Sequence, residues 1–346
     1  CSKLVQSLSI SGEDIVSLEG LEDVKSVGHL TITSNPILAD LTGLSGLESI
    51  NGWFVVNSNP SLESFEGLEN LGIVQGALSV RNNAILENFN GLQGLARIDG
   101  ALNLRGNENL GSLEGLDNLE ILKGDLDIRE NAVLDNLDAL LSSSMIPVTN
   151  NAILIYDNPR LRNIDGLVSP ASSDPLTAYT IAICNNQSLK NIDGLSSISR
   201  AGNVMIGMNS SLENLDGIAN LALVNLVSSE NRMPMDRFSP AGHILLSSNS
   251  CFNFYFDDNI AGTTDYHLTG TSFTKVNAQW TSIPGQLYIR GVAIEDLDFL
   301  SSLNSLGRLT LLENPYLSSL EGIENLNFTA AGLSYIPETD SFLPQA

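Results

Sequence analysis

An asparagine recurs at a fixed interval along the first part of this chain, each time just after a short apolar segment. The clearest series is Asn35, Asn59, Asn83, Asn107 and Asn131, in which each residue lies 24 positions after the last. A fixed period of this length is typical of a solenoid, in which each coil buries its apolar side by stacking on its neighbours. We therefore expect a molecule of stacked coils that offers an extended surface for binding.

The apolar residues within one repeat change their spacing from three to two. Leucine-class residues stand at every third position over residues 110–122, and the step then shortens to two at Leu126 and Ile128. A step of two is typical of a strand with one buried face, whereas a step of three suits a chain that bends at each small residue. Gly115 and Gly124 stand at such bends, where a positive φ or a close backbone approach favours glycine.

One phrase of the repeat resembles a known form of leucine-rich repeat. The phrase is Ser-Leu-Glu-Gly-Leu-Glu-x-Leu-x-x-Ile-x-Gly-x-Leu-x-Ile-x-x-Asn-Pro, and its fullest copy lies at residues 110–131. It resembles the receptor L-domain family, as does the opening segment, in which Cys1 precedes the first strand. The resemblance covers roughly residues 1–225 and 285–326, and the regular 24-residue repeats look most like those of microbial surface proteins. It implies a fold and leaves the ligand open, because ligands differ between members.

The repeats and the resemblance together predict the fold class and the domain organisation. We predict a mainly β protein, a single right-handed leucine-rich-repeat or β-helix-like solenoid with one long parallel sheet. Residues 1–225 hold the regular repeats, residues 226–284 hold irregular coils with an inserted loop, and residues 285–346 hold the terminal repeats and a C-terminal cap. All three parts are expected to form one continuous solenoid.

The charge and the cysteines bound the possible partners. The net charge is −24, from 16 Lys plus Arg against 40 Asp plus Glu, so nucleic acid and anionic membrane surfaces are not expected partners. No run of about 18 apolar residues is present, and we expect no membrane-spanning segment. No calcium-loop motif occurs and the three cysteines lack a zinc spacing, so we expect no metal, no cofactor and no disulfide framework.

The asparagine column is expected to be structural. An Asn side chain at this position turns inward and hydrogen-bonds the backbone of its own and the next coil. Asn186 and Asn209 match the N-glycosylation sequon, but as members of the column we expect both to be buried. The column comprises Asn35, Asn59, Asn83, Asn107, Asn131, Asn158, Asn186 and Asn209.

The strand positions between the buried residues face outward, and three arginines follow one another there. Alignment of the coils stacks Arg81, Arg105 and Arg129 about 4.8 Å apart. Either acids such as Asp127 and Glu130 neutralise these arginines as a surface network, or the column recognises an anionic glycan or an acidic partner. The candidate ligand-binding residues are Arg81, Arg105, Arg129, Trp53 and Tyr156.

Farther along the chain the outward positions become apolar. A contiguous exposed apolar strip marks a contact surface. Inserted loops, especially residues 251–284, would equally well cover this strip, and the sequence leaves both interpretations open. The candidate protein-contact strip comprises Leu154, Met205, Val227, Leu245 and Tyr255.

Cys1 allows two interpretations. Bacterial lipoproteins are cleaved to leave an N-terminal cysteine that is then acylated, whereas in the L-domain resemblance a first-coil cysteine caps the solenoid. Catalysis is not expected, because His29, His243 and His267 are scattered and have no repeat-aligned Ser or Cys partner.

The sequence therefore predicts an extracellular or cell-surface module for recognition, adhesion or scaffolding, which binds a protein or glycan through its outer sheet face and has no catalytic activity. The alternative is a lipid-anchored accessory subunit of a bacterial outer-membrane complex, and a remote alternative is a polysaccharide-active β-helix enzyme. Membrane association is expected only through a lipid on Cys1 or through a membrane-protein partner.

Overall fold

The computed structural model of the protein is mainly β, and its strands form a parallel solenoid with one long sheet, as the sequence predicts. In the part of the chain that the structure describes, the helical elements are short 3-10 turns. The structure describes residues 3–140, 144–145, 152–167, 176–207, 209–213, 216–218, 222–223, 243–246, 265–269, 282–290, 295–312, 314 and 316–336.

The strands fall into longer ones and two-residue ones. In chain order they are β1 (Lys3–Ile10), β2 (Val24–Thr33), β3 (Ser49–Ile50), β4 (Phe54–Asn57), β5 (Ile73–Val74), β6 (Leu78–Arg81), β7 (Arg97–Ile98), β8 (Leu102–Arg105), β9 (Ile121–Leu122), β10 (Leu126–Arg129), β11 (Ser144–Met145), β12 (Ala152–Tyr156), β13 (Leu176–Cys184), β14 (Ile198–Gly207), β15 (Ala222–Leu223), β16 (His243–Leu246), β17 (Asp265–Thr269), β18 (Ser282–Arg290), β19 (Ser305–Leu312) and β20 (Asn327–Ile336). The 3-10 helices span Thr42–Leu44, Asp138–Leu140, Asp165–Leu167, Asp193–Leu195, Asp216–Ile218 and Asp298–Leu300.

The longer strands pair in parallel, one coil against the next. Leu78 of β6 pairs with Phe54 of β4 on one side and with Leu102 of β8 on the other, so the register advances by the 24-residue repeat. This principal ladder runs through β1, β2, β4, β6, β8, β10, β12, β13 and β14, and then through β16 to β20. The two-residue strands β3, β5, β7, β9 and β11 form a second parallel ladder beside it.

The irregular range predicted at residues 226–284 lies largely outside the described residues. Its described parts include β16 and β17, which pair in parallel with each other and with β14 and β18 of the principal ladder. These strands therefore continue the same sheet through the range in which the repeat phrase fades from the sequence.

Alternate strand residues point into one continuous core. In β8, Leu102 and Leu104 are fully buried, whereas Asn103 is half-buried and Arg105 is exposed. The residues at steps of three are buried as well, and the rings of Phe65 and Phe89 stack 5.3 Å apart between neighbouring coils. Because each coil covers the apolar side of the next, burial accumulates along the solenoid instead of around a single centre.

The sequence predicts that Gly115 and Gly124 lie at bends because of a positive φ or a close backbone approach, and the structure shows both features. Gly115 has a φ of +101°, and a Cβ there would lie 2.1 Å from the carbonyl oxygen of Phe89. A Cβ at Gly124 would lie 2.2 Å from the carbonyl carbon of Gly100. Side chains are therefore excluded at both positions by the close stacking of coils.

The asparagine column is buried and hydrogen-bonded, as predicted. All eight of its side chains have no exposed surface. Asn107 shows the pattern: its Nδ2 donates to the carbonyl oxygen of Val80 (3.0 Å), its backbone N–H donates to Oδ1 of Asn131 (3.2 Å), and its own Oδ1 accepts from the backbone N–H of Asn83 (3.1 Å). The column thus joins neighbouring coils through amides that are also bonded to one another.

The column begins with an unsatisfied acceptor. Oδ1 of Asn35 is buried and has no hydrogen-bond partner. The pairing of Ile10 with Ile32 places Glu13 at the corresponding position of the first coil, and the Glu13 side chain is exposed. The first coil therefore lacks the inward-facing amide that would satisfy Asn35.

A second polar column, which the sequence reasoning missed, closes the turns. Five residues after each column asparagine from Asn35 to Asn186, a short polar side chain accepts a hydrogen bond from the backbone N–H two residues later. Such Asx and Ser turns hold the chain in the bend that brings the next leucine inward. The residues are Asp40, Ser64, Asn88, Ser112, Asn136, Asn163 and Asn191.

Candidate functional site

The predicted outward column is in register along the sheet. Thr33 pairs with Asn57, Asn57 with Arg81, Arg81 with Arg105, and Arg105 with Arg129. The ladder then continues to Tyr156 and Cys184. The three arginines therefore lie on adjacent strands of one sheet face, as the alignment of repeats predicts.

Two of the three arginines are neutralised by acids of the sheet. Arg105 forms a bidentate pair with Glu130, with Nε to Oε2 at 3.2 Å and Nη2 to Oε1 at 2.8 Å. This hydrogen-bonded pair raises the pKa of Arg105 above its ordinary value. Arg129 pairs with Asp127 of its own strand, and its guanidinium carbon lies 4.9 Å from the centroid of the Tyr156 ring. The surface-network interpretation therefore holds for these two residues.

Arg81 differs from the other two arginines. Its side chain is exposed, and its guanidinium makes no ion pair or hydrogen bond with any of the described residues. In a chain with a net charge of −24, an exposed cation without an acidic partner is available to an anionic group from outside.

Trp53 stands just before β4 on the same outward face. Its side chain is 50% exposed, and its ring stacks on that of His29 with a centroid distance of 3.5 Å and an angle of 16° between the planes. The backbone N–H of Trp53 also donates to Nδ1 of His29 at 3.1 Å. Because His29 belongs to the preceding coil, the stack holds the indole with one face covered and leaves the opposite face directed along the solenoid.

Hydrogen-bonded amides order the polar surface beside Arg81. Nδ2 of Asn82 donates to Oδ1 of Asn57 at 3.2 Å, and Nδ2 of Asn57 donates to Oγ1 of Thr33 at 3.4 Å. These bonds link the ends of neighbouring coils on the outer surface, so this polar surface is fixed in position.

The predicted apolar contact strip is covered where the structure describes its side chains. Leu154 is 5% exposed and Tyr156 is 3% exposed, and they form a separate buried cluster with Ala152, Ala182 and Cys184. Both point outward from the sheet as predicted, but Leu154 is not an exposed strip residue, and Tyr156, a candidate ligand-binding residue, is buried. The covering interpretation applies to them, and burial raises the pKa of Tyr156 to about 12.

The other members of the strip are described less fully. Met205 and Leu245 pair as neighbours in β14 and β16, and the structure describes their backbone alone. Val227 and Tyr255 lie outside the described residues, as does Cys1, the candidate for lipidation.

The sequence predicts no disulfide framework, but the structure has a disulfide at Cys184. This residue is fully buried and disulfide-bonded. The sequence has two other cysteines, Cys1 and Cys251, and both lie outside the described residues. The spacing of cysteines along the chain reveals motifs of nearby residues and gives no information on pairs that are far apart in sequence.

The bend side of the coils, where the turns and the 3-10 helices lie, carries many acids. A shallow polar depression there is lined by Glu63, Ser64, Ile85, Glu87, Asn88 and Asn90. Farther along, Asp138, Asp165 and Asp193 occupy the same position of successive coils, and burial, together with the charges of Asp193 and Asp138, raises the pKa of Asp165. Among the described residues, no group of three or more His, Cys, Asp or Glu side chains has the arrangement to hold a metal ion.

The outer face combines an exposed guanidinium that has no partner among the described residues, an indole with one open face, and amides fixed by hydrogen bonds. Groups of these types can bind anions, apolar rings and hydroxyls respectively. No helix among the described residues is long and apolar enough to cross a membrane. No protein-family model matches the chain, and a search of curated proteins finds no match.

Proposed function

We propose that this chain is an extracellular or cell-surface recognition module of the receptor L-domain type, without catalytic activity, which binds its partner through the outer face of β4, β6 and β8. The supporting observation is the contrast along that face. Trp53 and Arg81 are exposed over these strands, whereas the described outward residues of β12 and β13, from Leu154 to Cys184, are buried. Open and covered parts of one sheet face indicate where a partner can reach it.

The disulfide at Cys184 supports the proposed location. Disulfides form and persist in secreted and cell-surface proteins and are rare where thiols are kept reduced. The strong negative charge is compatible with a protein that must stay dispersed outside the cell.

The alternative of an anchored subunit that docks through the apolar strip has less support. Leu154, the member of that strip whose side chain is described, is already buried within the chain together with the neighbouring Tyr156. A partner could reach them only after whatever covers them had moved away.

The test is a binding screen with variants on two faces of the coils. The purified chain is applied to immobilised panels of extracellular glycans and secreted proteins, and every probe that binds is tested again with Arg81→Glu and Trp53→Ala. Arg162→Glu is the matched control, because it makes the same charge change on the bend side, where Arg162 pairs with Asp135 at 3.1 Å.

We expect the outer-face variants to lose a bound probe that Arg162→Glu retains. Equal binding by all three variants would contradict the proposal, because a partner held by the outer face cannot be indifferent to both Arg81 and Trp53.

A further inference from the structure

The outward residues of the coils of β6 and β8 are Ala77, Ser79, Ala101 and Asn103, and we call the surface over them the outer trough. Ser79 is buried, and the other three residues are half-buried. Ala77 and Ala101 hold the position of Trp53 in the next two coils. The backbone N–H of Phe54 donates to the carbonyl of Ala77, and that of Leu78 donates to the carbonyl of Ala101. The side chains of Ala77 and Ala101 are therefore smaller than those of Trp53 and Asp125, which hold the equivalent positions of the flanking coils.

Trp53 bounds the trough on one side. The stacking of Trp53 on His29 means that the ring plane faces along the solenoid, with His29 against one face. The other face looks toward the next coil, where the equivalent residue is Ala77, whose methyl group is too small to cover an indole. Half of the Trp53 side chain is exposed as a result, and it offers a flat apolar wall of the kind on which the C–H groups of a sugar ring stack.

Acids bound the trough on the other side. Asp125 and Asp127 lie on β10 or directly before it, three strand spacings from Trp53, which corresponds to about 14 Å. Asp125 accepts a hydrogen bond from the backbone N–H of Ala152 at 2.7 Å, and Asp127 pairs with Arg129. These carboxylates lie where they can accept hydrogen bonds from hydroxyl groups and repel a second anion.

Arg81 closes the end of the trough. It lies four residues beyond Ala77 along β6, about 13 Å at ordinary strand rise. Arg105 holds the equivalent position in the next coil, and its guanidinium forms two hydrogen bonds with the carboxylate of Glu130. Arg81 has no such partner among the described residues, so its guanidinium can form the same bidentate pair with the carboxylate of a ligand.

We propose that the outer trough binds a short oligosaccharide that carries a single uronate, with a neutral sugar stacked on Trp53 and the uronate carboxylate held by Arg81. The proposal rests on the proposed function, because it names the ligand of the same face. The distance along β6 leaves room for a short oligosaccharide, and the half-buried amide of Asn103 is suited to its hydroxyl groups.

A peptide fits this surface less well than a sugar. Strand β6 is paired on both sides, with β4 and β8, so its backbone offers no free ladder groups to an added strand. A densely charged polyanion also fits poorly, since Asp125, Asp127 and the net charge of −24 would repel its further charges. One carboxylate beside neutral sugars matches one unpaired guanidinium.

The test is calorimetric titration of the whole chain with a trisaccharide of two neutral hexoses and a terminal glucuronate, and with its carboxyl-reduced counterpart. We expect the acidic trisaccharide to bind at least about ten-fold more tightly than the reduced one, because only its carboxylate can form charge-assisted hydrogen bonds with Arg81. Arg81→Gln should remove this discrimination. Trp53→Ala should weaken both ligands by a similar factor, since stacking does not depend on the carboxylate.

Controls separate the proposal from misfolding and from the proposed function. Arg162→Gln on the bend side should bind like the unmodified chain, and all variants should unfold cooperatively on heating, because none of the three residues is buried. Equal affinity for the two trisaccharides, no binding of either, or discrimination that survives in Arg81→Gln would overturn the saccharide proposal. If a protein probe is still lost in Arg81→Glu while neither trisaccharide binds, the saccharide proposal fails and the proposed function stands.

Discussion

The coils of β6 and β8 and the coils of β12 and β13 are alike inside and opposite outside. Both pairs bury alternate apolar strand residues and an asparagine of the column. On the outer face, Arg81 and Arg105 are exposed in the first pair, whereas Tyr156 and Cys184 are buried in the second. The comparison teaches that the repeat determines the interior, while the outward positions are free to differ from coil to coil and therefore hold the information on function.

The largest expected loss of stability comes from the asparagine column, and it tests whether the interiors of the two pairs of coils are equivalent. Asn107→Ala and Asn186→Ala should each lower the free energy of unfolding by about 2–4 kcal/mol, because each leaves a buried carbonyl and a backbone N–H of the neighbouring coils without a partner. Denaturant unfolding measures both. A loss from Asn186→Ala much smaller than that from Asn107→Ala would break the equivalence.

Asn35→Ala is the matched comparison for the column. Its Oδ1 has no partner in the native structure, so this variant should cost less than Asn107→Ala. An equal cost would show that the acceptor at the start of the column is satisfied in solution.

The next prediction compares the same kind of substitution at an exposed and at a covered position of one outward column of the sheet. Leu154→Asp should destabilise the protein by about 3 kcal/mol or more, since it places a carboxylate in a buried apolar cluster. Val55→Asp lies in the same column but is half-exposed, and should cost under about 1 kcal/mol. The same column already holds an acid at Asp127. Similar melting temperatures for the two variants would contradict the difference in cover.

The burial of Tyr156 predicts a loss of stability at alkaline pH. Burial raises its pKa from 10.0 to about 12, so the folded state holds the phenol proton more tightly than the unfolded state does. Stability from this group is present below pH 10 and is lost as the pH rises from 10 through about 12. Tyr156→Phe should remove that part of the alkaline loss, whereas Tyr316→Phe, which alters a side chain that is 64% exposed, should not. Unfolding midpoints measured across this pH range decide between them.

The smallest expected change in stability concerns the bend side, where aspartates occupy the same position of successive coils. Burial, followed by the charges of Asp193 and Asp138, raises the pKa of Asp165, so its ionised form destabilises the folded state. The penalty is present at neutral pH and is relieved as the pH falls through the raised pKa. Asp165→Asn should therefore stabilise the protein by a few tenths of a kcal/mol at pH 7.

The same substitution at an exposed position is the control. Asp298 occupies the equivalent place at the start of its own 3-10 helix, with an exposed side chain. Asp298→Asn should leave the melting temperature unchanged. A stabilisation by Asp165→Asn that persists at pH 3 would show that charge is not its cause.

The sequence predicts the interior well because the interior repeats. The spacing of Asn35, Asn59 and Asn83 determines the strand register, and the register brings Arg81, Arg105 and Arg129 together on one face. The resemblance to receptor L-domains adds an expectation of function that the fold alone does not test.

The outer face is predicted less well, because its environment depends on contacts between residues far apart in sequence. Period arguments indicate that Leu154 and Tyr156 point outward, but whether another part of the chain covers them is not encoded in the repeat. The pairing of Arg105 with Glu130 of the next coil, and the absence of such an acid beside Arg81 among the described residues, likewise depend on side-chain geometry. A signal for the turn column at Ser64 and Asn88 was present in the sequence, as a short polar residue at the same distance from each asparagine.

Hydroxyl-radical footprinting with mass spectrometry most directly tests the central claim, that the outer face is open at β4 to β8 and closed at β12 and β13. The account predicts strong labelling of Trp53, protection of Tyr156, and labelling of Tyr316 as an exposed residue of the same type. Labelling of Tyr156 to the same extent as Tyr316, or protection of Trp53, would contradict it.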